Sequence, residues 1–329
     1  DSRWNQRQKV SSFFRSAQAG LGRFTPLIGT VYSGINNIFR IHGVDDLWYE
    51  CRIKGKILKD EEESYNPLAP GDMVEFELSG SDKGLILSRL PRKNRFARWN
   101  RKKEAWQVVA VNLDIVLAVV SAAGPPFRPR FVDRVLIAAA QGGVPVAILV
   151  NKVDQGVAPW VDDRIRDWER LGFRVLRSSA ETGEGLNDIV KLQDGGTMVL
   201  FGPSGVGKST ILNRLIPGLD QVTGEISEKH DRGRHVTNFG RLIDAPWGGR
   251  VVDTPGVREI LVRGIAPEEL IHWFPEFEEP SALCSFQPCS HRHEPDCGVI
   301  RAVEAGGIHM DRYENYLRIR DELEEEARW

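Results

Sequence analysis

Hydrophobic and polar positions change rhythm twice along this chain. Between residues 26 and 90 the apolar residues come in short alternating runs, "IGTVYSG", "IFRIHG", "LWYECRIKG", "MVEFELSG" and "KGLILSRL", parted by Gly, Asp and Pro. Period-two alternation broken by turn residues predicts half-buried strands, and "APGDMVEF" at 69–76 reads as a turn running into a strand. Five short strands in so little chain suit a small closed barrel of the OB type, although an SH3-like barrel would read much the same.

Beyond about residue 115 the strands become solidly apolar and alternate with helical periodicity. The pattern predicts strands at 115–123, 146–151, 173–178, 197–201, 239–244 and 250–253, and helices at 131–141, 161–171 and 207–216. That alternation implies a mainly parallel sheet with helices on both faces. From about 266 the chain turns helical again and closes on "DRYENYLRIRDELEEEARW", with no internal repeat. The expected organisation is multidomain: a flexible arm over 1–25, a β-barrel over 26–92, an α/β domain over 93–265 and an α-helical domain over 266–329.

A hydrophobic content of 41% is enough for real cores in a chain of 329 residues. The longest apolar run, "IVLAVVSAA" at 115–123, is too short to cross a bilayer, so no membrane helix is expected. The polar start "DSRWNQRQKV" carries no secretory signal, and without an initial Met the chain reads as a processed or trimmed form. A net charge of −2 does not by itself suggest a nucleic-acid partner, but its distribution does. "RLPRKNRFARWNRKK" at 89–103 is densely basic with Phe96 and Trp99 interleaved. It reads either as a solvated linker or as a contact to phosphates, where Lys and Arg release condensed counterions.

Of the four cysteines, Cys51 stands alone and reads as a small buried hydrophobe. The others crowd into "CSFQPCSHRHEPDC", giving Cys284-x4-Cys289-x-His291-x5-Cys297. Three thiolates and one imidazole suit a single closed, tetrahedral, structural Zn2+ site, with His293 as the rival to His291. Thiols in metal spacing point to a reducing, cytoplasmic setting.

Four motifs follow predicted strands, where ligands bind in open α/β sheets. "GPSGVGKST" fits G-x-x-x-x-G-K-[ST], with Gly202, Pro203, Ser204, Gly205, Val206 and Gly207 forming a loop ahead of Lys208, Ser209 and Thr210. Its backbone N–H groups would cradle phosphates, Lys208 would reach the β/γ oxygens and Ser209 would hold Mg2+. "VVDTPG" offers Asp253 to Mg2+ and the Gly256 N–H to a γ-phosphate. "NKVD" offers Asn151, Lys152 and Asp154, and the Asp154 carboxylate can accept from guanine N1–H and N2–H, a pattern adenine cannot supply. "SSAETG" places Ser179 and the Ala180 N–H where a purine carbonyl could be met.

The phosphate loop ordinarily precedes the base-selecting loop; here it follows, with the cyclic order kept. The chain is therefore read as a circularly permuted GTPase domain, which is possible because domain termini often lie close together. The stretch after Gly256 then leads into the C-terminal domain, so loss of a γ-phosphate is expected to move it.

The order NKVD, SSAETG, GPSGVGKST, GRHVTN, DTPGV, between a small barrel and the Cys-x4-Cys-x-His-x5-Cys cluster, resembles the RsgA-type family of permuted GTPases over about residues 26–310. The resemblance implies an OB-fold, a circularly permuted P-loop GTPase domain and a zinc-binding helical domain. It implies GTP/GDP binding with Mg2+, and ribosome-stimulated GTP hydrolysis during late maturation of the 30S subunit and its 16S rRNA; a monomer is expected. The family's switch usually reads G-R-H-T-T-T, and "GRHVTN" keeps only Thr237, assigned to Mg2+ and the γ-phosphate. Val257 and Arg258 stand where other GTPases often carry a water-positioning Gln, which leaves His235 as the catalytic candidate beside Thr237 and Lys208. The rivals are a permuted GTPase of large-subunit assembly and an RNA-binding module whose G domain only binds nucleotide.

Overall fold

The computed structural model describes residues 26–55, 58, 64–219, 240–257 and 259–327. Strands β1 (Leu27–Ile35), β2 (Ile38–Gly43), β3 (Trp48–Ile53), β4 (Met73–Leu78) and β5 (Lys83–Arg89) close into a barrel in the order β1-β2-β3-β5-β4. Strands β3 and β5 run parallel and the other pairs antiparallel, which is the OB arrangement and settles the choice between barrels. The alternation works as expected: Val31, Phe39, Ile41, Tyr49, Val74, Phe76 and Ile86 fill the interior together with Cys51, a buried free thiol.

The basic run is not a linker. Residues Arg95–Asn100 form β6, which pairs antiparallel with β7 (Ala105–Val111). Phe96 is fully buried and meets Phe201 edge-on at 4.8 Å, and Trp99 meets Trp106 edge-on at 5.7 Å. Phe96 is thus a core residue, while Trp99 is half-buried against Trp106. Arg92 is nearly buried and grips the buried Asp72 through two 2.8 Å hydrogen bonds, so it too is removed from any phosphate-facing surface. A run of charges hid the strand because the periodicity lies in its apolar face alone. The exposed basic residues of the run are Lys93, Arg95 and, at the hairpin tip, Arg101 to Lys103.

The hairpin ties the barrel to the next domain. Asn66 bonds the Val108 backbone in both directions at 2.9 Å, and Tyr32 Oη donates to Asp244 Oδ1 at 2.6 Å.

Strands β8 (Ile115–Ser121), β9 (Val146–Asn151), β10 (Arg174–Ser178), β11 (Thr197–Phe201), β12 (Arg241–Asp244) and β13 (Arg250–Asp253) form one sheet in the order β10-β9-β8-β11-β13-β12. All neighbours are parallel except the β12–β13 pair. Helices α1 (Pro129–Gln141) and α2 (Pro159–Arg170) cover one face, and α3 (Leu186–Gln193) and α4 (Lys208–Leu215) the other. Successive β8 residues divide accordingly: Val116, Ala118 and Val120 join the first core, Leu117 and Val119 the second. Helices α1 and α2 begin at Pro129 and Pro159 rather than at 131 and 161, because Pro suits the first helical turn, where its missing N–H costs nothing.

The C-terminal region is less helical before residue 298 than its sequence suggested. It contains the short 3-10 turns Glu269–Trp273 and Pro275–Phe277 and α5 (Glu278–Ser281), followed by α6 (Gly298–Glu304) and α7 (Met310–Glu326). Leu270, Phe274, Phe277, Val299, Tyr316 and Ile319 pack with Ile137 of α1 into one core. Beside it lies a buried charge cluster. Asp133 of α1 accepts from Arg164 Nη2 at 2.9 Å, Arg312 Nη1 at 2.8 Å and Asn315 Nδ2 at 3.0 Å, while Glu276 also holds Arg312. The C-terminal domain is thus fastened to α1 and α2 as well as continued from residue 257. Among the described residues no helix is long and apolar enough to cross a membrane.

Candidate functional site

Strands β10 and β9 on one side of β8, and β11 and β13 on the other, end along one edge of the sheet, and the four motifs follow those ends. Asn151, the last residue of β9, is fully buried at their meeting point. Its Nδ2 donates to the Val206 carbonyl at 2.9 Å, and its Oδ1 accepts from Ser178 Oγ at 3.0 Å and the Ala180 N–H at 3.2 Å. One side chain therefore fixes three loops relative to each other. The Ala180 N–H expected to face a purine carbonyl is engaged by that 3.2 Å bond, which is long for an N–H donor. Ser179 is buried and braces its loop by accepting from the Thr182 N–H.

Lys152 adopts a left-handed backbone, φ 65°, and its Nζ donates to the Gly124 carbonyl. Asp154 is exposed, and no described residue bonds its carboxylate. An unpaired carboxylate acceptor at the mouth of the site is free to take a base edge.

The phosphate loop owes its path to glycines. Gly207 has φ 101°, and a Cβ there would fall 2.3 Å from Asn151 Nδ2. It leads into α4, whose first residue, Lys208, is buried and donates to the carbonyls of Gly202 and Pro203 at 2.7 and 2.9 Å. Burial lowers the Lys208 ammonium to about 8, and the negative charge of Asp253 pulls the other way. A partly desolvated cation at the N-terminus of a helix, behind a Gly-rich loop, suits an anion such as phosphate. Val206 is buried, Ser204 and Gly205 are exposed, and Ser209, Thr210 and Asp253 are half-buried.

Gly256 packs directly on this loop, where a Cβ would lie 2.8 Å from Ser204 Cα. Thr254 Oγ1 donates to the Leu200 carbonyl at 2.7 Å, and the Val257 N–H to the Gly202 carbonyl at 3.3 Å. His235, Thr237 and Arg258 lie outside the described residues.

The donor atoms of Cys284, Cys289, His291 and Cys297 all lie within 4.8 Å of one another. Cys284 and Cys289 each stand 3.8 Å from the Cys297 sulfur, and His291 Nδ1 lies 3.6 Å from Cys284 and 3.3 Å from Cys297. Ligands around tetrahedral zinc, at a bond length near 2.3 Å, stand about 3.8 Å apart, so the set fits that ion. The rival His293 is exposed and outside the group. Supporting bonds hold the ligand loop: Glu294 accepts from the N–H groups of Ser290, Arg292 and His293, and Tyr313 Oη donates to the His291 carbonyl at 2.7 Å.

Sequence reasoning missed Asp133, a fully buried acid in α1, and the Asp72–Arg92 pair. An Asp interrupting "FVDRVLIAAA" was the available signal for the first; none marked the second, whose partners are far apart in sequence.

Residues 28–86 match the family model of the RsgA N-terminal domain, and residues 89–263 that of the RsgA GTPase. A relative in Borrelia recurrentis, a small ribosomal subunit biogenesis GTPase RsgA, is 39% identical over 291 residues, 88% of this chain and 92% of its own. One of the same name in Bacteroides fragilis is 36% identical over 302 residues, 90% of this chain and 97% of its own. Among solved structures, YjeQ from Thermotoga maritima superposes with a TM-score of 0.69 at 30% identity, covering 91% of this chain and 99% of that one. YloQ, a circularly permuted GTPase, superposes at 0.64 over 94% of this chain and 99% of its own; at 24% identity it speaks for the fold alone. Matched by both models and aligned with relatives over nearly their full length, the chain belongs to the RsgA GTPase family.

Proposed function

We propose that this chain hydrolyses GTP to GDP and phosphate, and that it binds the 30S ribosomal subunit and assists its late maturation. Asn151 carries the nucleotide reading: by tying the base loop to Val206 and to Ser178 and Ala180, it supports a single ligand lying across all three loops. The curated relatives' role in small-subunit biogenesis supports the ribosomal part.

In this reading Asp154 accepts from the guanine N–H edge, and the Ala180 N–H is shared between Asn151 and the guanine carbonyl. ATP is rejected because adenine would leave Asp154 unpaired. The N–H groups of 203–209 and the Lys208 ammonium take the phosphates, and the Gly256 N–H meets the γ-phosphoryl group. Water attacks the γ-phosphorus and the bond to the bridging oxygen breaks, with catalysis resting mainly on positioning and charge stabilisation. His235 is assigned to orient that water. Ser209, Thr237 and Asp253 are assigned to Mg2+, which would supply charge neutralisation to the phosphates. Cys284, Cys289, His291 and Cys297 are assigned to one structural zinc, which supplies a crosslink in a region poor in regular structure.

We assign the barrel to 26–92, the nucleotide domain to 93–265 and the zinc domain to 266–329. The protein acts as a cytoplasmic monomer, with 16S rRNA contacted through the barrel, hairpin tip and zinc domain. The deciding experiment is phosphate release from GTP with and without purified 30S and 50S subunits. Stimulation by 30S alone is expected. Stimulation by 50S alone would move the protein to the large subunit, and no hydrolysis under any condition would reduce it to a binding module.

A further inference from the structure

Arg98 lies on β6 two residues beyond Phe96 and lines a cavity of about 80 Å³ between the hairpin and the loop that follows β13. Phe201, Gly240, Thr254, Pro255 and Gly256 form much of the remaining wall. Among the described residues no hydrogen bond or ion pair reaches its guanidinium; its electrostatic neighbour is the Tyr65 phenol. Burial depresses its pKa, the mark of a cation short of solvent. Arg98 is half-buried, so its fork of N–H donors keeps some contact with solvent while meeting no protein acceptor among the described residues.

The loop after β13 lines the same cavity and offers acceptors. The carbonyls of Thr254, Pro255 and Gly256 accept no hydrogen bond from any described residue. The loop is tied down by the Thr254 hydroxyl and by the 3.3 Å bond from the Val257 N–H. Its glycine presses on Ser204 of the phosphate loop. Arg98 and this loop thus line one cavity with no hydrogen bond between them, each with bonding capacity left, beside the segment assigned to the γ-phosphate.

We propose that Arg98 is a positioning residue for the loop Asp253–Val257, hydrogen-bonding its carbonyls when the loop draws in around the γ-phosphate. The proposal rests on the GTPase reading above. It gives the nucleotide state a route to the barrel, since the strand paired with β6 is bonded to Asn66 at Val108 and to Pro70 at Val111.

The test compares the native full chain with Arg98→Met, which keeps the apolar stem and removes the donors, and Arg98→Lys, which restores a charge. GTP and GDP affinities, thermal midpoint and single-turnover hydrolysis are measured for each. Misplacing a catalytic loop by a fraction of an ångström to one ångström costs about 10- to 100-fold in rate, so Arg98→Met is expected to slow hydrolysis by that much. GDP affinity and thermal midpoint should stay close to native, and Arg98→Lys should recover part of the rate. Native hydrolysis by Arg98→Met overturns the proposal, as does an equal loss of GTP and GDP affinity with a lowered midpoint, which marks a merely structural arginine. If the native chain itself hydrolyses no GTP, the GTPase reading fails and takes this proposal with it.

Discussion

Asp133 Oδ1 accepts from Arg312 Nη1 at 2.8 Å, across 179 positions of sequence. The bond joins α1 of the α/β unit to α7 beside the Cys/His cluster, and both side chains are almost fully buried. Burial alone would raise the Asp133 carboxyl; the Arg312 and Arg164 guanidiniums overcome it and hold the group below its ordinary value. Any displacement that begins at Gly256 must therefore work against this clasp before it moves the C-terminal domain.

Removing one member of a buried ion cluster strands the others. Asp133→Ala should destabilise the chain by about 3–5 kcal/mol, read from urea unfolding. Because the folded Asp133 pKa is depressed, its contribution is present above the unfolded value, near 3.9, and is lost as pH falls through the lower folded value. Asp133→Asn should accordingly flatten the loss of stability below about pH 4. An unchanged acid profile would show that Asp133 does not carry it.

Lys208 titrates from about 8 in the free site, so phosphate binding, which favours the ammonium, should draw in a proton. Near pH 8 the uptake should approach about half a proton per nucleotide, measurable by calorimetry in buffers of different ionisation enthalpy. The folded value lies below the unfolded one, so the buried charge is a cost present in full below pH 8 and relieved as pH rises toward about 10.4. Lys208→Met should therefore stabilise the nucleotide-free chain at neutral pH by up to about 3 kcal/mol while losing tight nucleotide binding. A destabilised variant would contradict the buried-cation account.

Base choice should follow one carboxylate. Asp154→Asn replaces an acceptor by an amide and should shift preference from guanosine to xanthosine nucleotides, whose 2-position carries an acceptor. Competition binding against a fluorescent guanine nucleotide reads this out. Equal native affinity for ATP and GTP would remove Asp154 from the site.

Zinc should be found near one equivalent by elemental analysis of freshly purified protein. Cys297→Ala should loosen the region 284–297 to proteolysis and leave GTP affinity close to native, because the cluster packs on α7 rather than on the phosphate loop. Purified protein free of zinc would exclude the assignment.

Binding to 30S should depend on the hairpin tip. Reversing Lys102 and Lys103, both exposed, should weaken binding and reduce its salt dependence by roughly two counterions, with nucleotide affinity intact. Arg92 is unsuitable for such a test, since reversing it would set like charges beside the buried Asp72. Unchanged 30S affinity would make the tip an ordinary solvated turn.

The elements legible in the sequence were those whose information is local. Asn151, Gly202 and Lys208 could be placed because each motif directly follows an apolar strand, and β9, β11 and β13 keep the expected ends at 151, 201 and 253. The barrel was legible through alternation, but its topology required the β3–β5 pairing. Strand β6 escaped because its outward side chains are basic and its inward ones too few to show a period. Asp133 escaped for another reason: its partners at 164, 312 and 315 come from two other helices. No short window of sequence contains that relationship.

The strand order β10-β9-β8-β11-β13-β12 also bears on how the domain is made. Synthesis runs from the N-terminus, so β8, β9 and β10, with α1 and α2 on one face, emerge from the ribosome as a contiguous half-sheet before residues 197–201 emerge. Its growing margin is β8, whose unpaired backbone is an open template until β11 docks against it. The phosphate loop hangs on that late strand, so a nucleotide cannot brace the nascent half. For that interval the half-sheet must shield its own margin or be shielded by a chaperone, a vulnerability shaped by chain order rather than by the finished fold.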